Sequence, residues 1–80
     1  MKINSVTPNS ALPDTPVMIT GEGLDAASTL YFGDQSVPFK VSGTGNIEAN
    51  VPDGSGTVEV TVADDGEKSN SVSFTYLKVY

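Results

Sequence analysis

The chain has no cysteine, no histidine, no tryptophan and no arginine. Without cysteine there is no disulfide, so packing and the β-ladder alone must hold the fold, and the redox compartment stays open. Without histidine or cysteine the commonest general base and nucleophile are missing and soft metal sites are excluded. That points away from an enzyme and from any cofactor. The cations are Lys2, Lys40, Lys68 and Lys78, set against 10 acidic residues for a net charge of −6. With no arginine to clamp a phosphate or read a base edge, the composition argues against nucleic acid as a partner. The same acidity argues against an anionic membrane surface. No apolar run approaches the roughly 20 residues that span a bilayer, so no membrane insertion is expected. Met1-Lys2-Ile3-Asn4 opens without an apolar stretch, so no signal peptide is expected either.

What is present is enough for one small core. At 80 residues the chain has room for a single domain. Area scaling puts its folded surface at about 4,600 Å², with about 60% of the unfolded surface buried on folding.

The apolar residues alternate with period two in short runs, and no stretch carries helical spacing. Val17 and Ile19 flank Met18, and Leu30 and Phe32 flank Tyr31. Val37, Phe39 and Val41 share one parity, as do Ile47, Ala49 and Val51, then Val58, Val60 and Val62, then Val72, Phe74 and Tyr76. With Lys2 to Val6 counted first, the pattern predicts seven strands. Thr57, Glu59, Thr61, Ser71, Ser73 and Thr75 hold the opposite parity, so one face of their sheet is wet. Asp-Gly at 65–66 marks a hairpin and predicts that the last two strands pair directly. Ile3 and Val6 differ in parity, which predicts a bulge or a crossover in the first strand. The five prolines fall at strand margins or in connections. Seven short strands with regular turn signals suggest an all-β, two-sheet antiparallel sandwich.

The order of fragments resembles the IPT/TIG domain family, which implies an immunoglobulin-like, seven-stranded sandwich. The likeness rests on Ile3-x-Ser5-Val6-x-Pro8-x-Ser10, Pro16-Val17-x-Ile19-x-Gly21-x-Gly23-Leu24, and Leu30-x-Phe32-Gly33. It continues through Ile47-x-Ala49-x-Val51-Pro52, Gly56-x-Val58-x-Val60-x-Val62, and Ser69-Asn70-Ser71-Val72-x-Phe74-x-Tyr76. The resemblance implies a sandwich of the early-set type over residues 1–76, nearest to bacterial surface and phage structural members, with 77–80 a strand extension or the start of a linker. Family members that contact DNA do so through basic loops, which this chain lacks.

Few residues stand out as candidate sites. Asp64, Asp65 and Glu67 invite a calcium reading, but the crowding of a tight turn favours a solvated hairpin. Gly21-Glu22-Gly23 reads as a strand end needing small residues, with no strand-to-helix context for a phosphate loop. Tyr31 points away from the core and is a candidate partner contact. Leu77, Val79 and Tyr80 form a second candidate, because Leu77 and Val79 place aliphatics on a face that is polar up to Tyr76. On this reading they prolong an edge strand and support docking or weak self-association. The expected function is a non-catalytic structural or binding module, first on a phage virion as a decoration or tail component. The alternative is an excised spacer or interaction domain of a bacterial surface protein or secreted carbohydrate-active enzyme. A carbohydrate-binding module ranks below both for want of an aromatic platform. The expected setting is the virion, or the cell surface or extracellular space, with a protein partner.

Overall fold

The period-two runs fold as strands in the computed structural model, which describes residues 1–43, 45–64 and 66–77. In chain order these are β1 (Lys2–Thr7), β2 (Ser10–Ala11), β3 (Pro16–Glu22), β4 (Thr29–Phe32) and β5 (Gln35–Val37). They are followed by β6 (Phe39–Ser42), β7 (Asn46–Asn50), β8 (Thr57–Asp64), β9 (Glu67–Lys68) and β10 (Val72–Tyr76). One sheet runs β1-β3-β7-β6; the other runs β2-β10-β8-β4-β5, with β9 also on β8. The first is the four-stranded sheet of an immunoglobulin sandwich, and β4, β8 and β10 supply the three strands of its partner. The short β2 and β5 extend that second sheet at its two edges. The surface measures 4606 Å², in line with the size-based expectation.

The parity break in β1 is a bulge. Ile3 pairs with Gly21 and Ser5 with Thr20, so Asn4 is the extra residue. One added residue reverses every side chain beyond it. Both Ile3 and Val6 therefore turn inward, at 1% and 6% exposure.

The expected single strand through Val37, Phe39 and Val41 is two strands. β5 pairs with β4 in one sheet and β6 with β7 in the other, and Pro38 alone joins them. Proline cannot donate to a ladder, so pairing stops there and the chain crosses between layers. Val37 is buried, while Phe39 and Val41 are only half-buried on the rim strand that results. The other expected core positions at Val58 and Val72 are likewise half-buried. The last strands do pair directly: β9 closes the hairpin on β8, and β10 continues alongside.

An aromatic ladder runs through the core. Phe32 and Phe74 meet edge to face at 5.3 Å, and Phe74 and Tyr76 at 5.5 Å, an arrangement the ring quadrupole favours. Ile19, Leu30, Ile47, Val60 and Val62 fill the space around it, all with no measurable exposure.

One helical element escaped the sequence pattern, a single 3₁₀ turn over Leu24–Ala26. It drives the fully buried Leu24 into the core and packs against β6 and β7. The glycines before it explain the Gly-x-Gly-Leu fragment. A Cβ on Gly21 would fall on the Lys2 carbonyl oxygen, and Gly23 begins the turn with a φ of +68°.

Candidate functional site

The structure places the sequence-predicted contact residues apart. Tyr31 lies half-buried on the outer face of the second sheet, opposite Thr61 on β8 and Ser36 on β5. The Lys68 Nζ stands 5.9 Å from its ring centre, within reach of a cation–π attraction. Its surroundings are hydroxyl-rich; Thr57 and Thr75 share a hydrogen bond at 3.0 Å on the same face. No second aromatic ring joins Tyr31 to make a flat platform among the described residues.

Leu77 is exposed at the end of β10. Val79 and Tyr80, the rest of that candidate strip, lie outside the described residues. The expected free edge at this point is taken. β10 sits between β8 and β2, and the Thr75 and Leu77 amides donate to the carbonyls of Asn9 and Ala11. The two-residue β2, unreadable by periodicity, is the physical reason: it covers the flank that the last strand would otherwise present.

Asp64 and Glu67 face each other across the β8–β9 pair, and Asp65 lies outside the described residues. Among the described residues no group of three or more carboxylates stands close enough to hold a metal ion. Gly21-Glu22-Gly23 leads only into the one-turn helix described above.

The concave features are open to solvent. One groove of about 570 Å³ runs over the first sheet beside Met18, Phe39, Lys40 and Glu48. A second lies in the gap at Pro38, where the sheets part. The third, also about 570 Å³, opens at the pole where β10 ends. Its wall combines Phe32 and Val58 with Asp34 on the β4–β5 turn, Asp53 and Gly54 on the β7–β8 connection, and Tyr76. Burial pushes the Tyr76 phenol above its ordinary pKa, and the Asp53 charge adds to that. The alternation places Tyr76 in the core but does not disclose its hydroxyl at the cleft wall. The signal was available, because a buried tyrosine normally needs a partner for its O–H.

Two filled sheets with open grooves define a small immunoglobulin-like sandwich module. The model of the IPT/TIG domain matches residues 1–76, and the chain belongs to that family. Among solved structures it is similar to γ-CGTase from alkalophilic Bacillus clarkii, with 28% identity and a TM-score of 0.83 over 94% of this chain. It also shares its fold with SGBP-B from a complex xyloglucan utilization locus in Bacteroides uniformis, at 20% identity and a TM-score of 0.77 over 94% of this chain. The chain spans 12% of the first protein and 22% of the second. No curated protein matches it.

Proposed function

We propose that the chain is a non-catalytic spacer and interaction module of a longer exported protein, either a bacterial surface protein or a secreted carbohydrate-active enzyme. The observation that carries this reading is the course of the strands. β1 starts at one pole, and β10, parallel to β2, ends at the other. Segments joined at the two ends are thereby held apart along a body 39 Å in its longest dimension. The relatives support the reading, since in γ-CGTase and SGBP-B the same fold is a small part of a much longer chain. They favour this setting over the virion one. The absence of histidine and cysteine, with the three described grooves open to solvent, supports a role without chemistry.

Two measurements test it. In affinity electrophoresis through gels holding starch or xyloglucan, the isolated chain should migrate as it does in a plain gel and release no reducing ends. Placed between two fluorescent reporters, it should give a narrow distance distribution. Retardation by either polysaccharide overturns the spacer reading and assigns a glycan site, with Tyr31 the first residue to replace.

A further inference from the structure

The cleft at the β10 pole has a chemistry that spacing alone does not require. Its floor is apolar, from Phe32 and Val58, and its rim carries the carboxylates of Asp34 and Asp53. None of Lys2, Lys40 and Lys68 lines it, so the described lysines leave that negative charge uncompensated. Tyr76 adds a polar group to the wall. It is 95% buried, being 5% exposed, and its hydroxyl makes no hydrogen bond among the described residues. Among the described residues no fully enclosed side-chain oxygen or nitrogen lacks a partner. The Tyr76 oxygen is therefore open at the cleft wall, beside Gly54.

We propose that this cleft receives the basic side chain, lysine or arginine, of a neighbouring protein domain. The alkyl stem lies on the half-buried Val58, above the edge of Phe32, while the cationic head reaches Asp34, Asp53 and the Tyr76 oxygen, the usual division of a long basic side chain between apolar and polar surface. Both carboxylates are exposed, so salt screens them and the contact is strongest at low ionic strength. The carboxylate pair is too small a set for a tight cation site, whereas a side chain brings its own apolar contact. The proposal rests on the interaction-module reading and names the contact by which a neighbour is held at this pole.

The test is an amide chemical-shift titration of the whole chain with acetyl-Gly-Arg-Gly-amide at low salt. Saturating shifts should gather at Gly33, Asp34, Asp53, Gly54 and Ser55, with a dissociation constant on the order of a millimolar. The citrulline peptide, uncharged but of the same shape, should move nothing. Asp34→Asn with Asp53→Asn should weaken binding about tenfold or more, and Tyr76→Phe should weaken it less, with the rest of the spectrum unchanged. Equal shifts from the two peptides, or shifts scattered over the acidic surface, overturn the proposal. So does a wild type that binds nothing while Lys78→Ala alone moves the cleft amides, which assigns the site to the chain's own lysine. Any of these failures leaves the spacer reading intact if electrophoresis and reporter distances come out as expected.

Discussion

The side chain of Asn70 holds the backbone of Ile3 at both of its polar groups. The Ile3 N–H donates to Oδ1 at 2.8 Å, and Nδ2 donates to the Ile3 carbonyl at 2.9 Å. The amide thus stands in for a strand neighbour on the outer edge of β1, tying the first sheet to the β9–β10 segment of the second. Ser69 does similar work next door, where the Val62 amide donates to its hydroxyl and its own amide donates to the Val62 carbonyl. Asn70→Ala leaves two part-buried backbone groups without partners, at about 1 to 3 kcal/mol for each group at full burial. Urea titration should show a lower midpoint with an unchanged slope. Asn70→Asp should be no better, since it loses the donor and sets a carboxylate against a carbonyl oxygen. A midpoint within error of the parent refutes this account of the Ser-Asn pair.

Phe32→Ala removes the end of the aromatic ladder from a fully packed site. The cost is about 3 to 5 kcal/mol, against a total stability of roughly 5 to 10 for so small a domain. Far-ultraviolet circular dichroism should show a largely unfolded variant at room temperature or slightly above. Phe39→Ala, on the half-buried rim, should melt much nearer the parent. Equal losses at the two positions would contradict the burial difference.

Gly54→Ala tests the pole cleft from its wall. The added methyl would sit 2.6 Å from Cζ of Tyr76, and a buried ring has little room to retreat. Overpacking of this kind costs about 1 to 3 kcal/mol, readable as a drop in melting temperature. Gly21→Ala should be worse, because there the obstacle is backbone. Combining Gly54→Ala with Tyr76→Leu should recover part of the loss, and no recovery would mean that the ring is not what the methyl meets.

Alkaline pH should destabilise the fold through Tyr76. Burial, and then the Asp53 charge, hold its folded pKa above the unfolded one. The unfolded chain therefore loses this proton first as pH rises. Stability from this source is complete below the unfolded value, at about pH 10, and disappears as pH climbs toward the folded value. Phenolate absorbance should reveal a late-titrating tyrosine that is missing in Tyr76→Phe. Asp53→Asn should bring that titration to lower pH while leaving most of the burial effect.

Removing residues 77–80 should leave the sandwich folded, since the core is complete at Tyr76. Among the described residues the loss is the Leu77 bond to Ala11, about 1 kcal/mol. Sedimentation of full-length and shortened chains at matched concentration tests the Leu77, Val79 and Tyr80 strip as a contact. A lower average mass on truncation supports it, and identical monomers remove it.

Much of this architecture was legible in the sequence because burial imposes a period. The runs at Val17, Leu30, Ile47, Val60 and Phe74 alternate cleanly, and each faces inward. The bulge in β1 was legible for the same reason, as a break in that period. Elements too short to show a period were not legible. β2 has two residues and the 3₁₀ turn has three, so neither the cover on β10 nor the Leu24 plug could be read. The switch at Pro38 keeps the parity of both flanking strands, and parity cannot tell which sheet a strand has joined. The pole cleft was hidden differently, since Asp34, Asp53 and Tyr76 come from three separate segments that only the closed sandwich brings together.

The parallel pairing of β2 with β10 also bears on how the molecule responds to pulling. Tension applied through Met1 and Leu77 acts along the strands, because those residues leave from opposite poles. The bonds joining Asn9 and Ala11 to Thr75 and Leu77 are then stretched side by side and must give way together, not one after another as in an unzipping hairpin. Resistance to extension is set by the barrier to that single rupture, which need not follow equilibrium stability. A module that melts easily in urea can still act as a stiff link when its two ends are pulled apart.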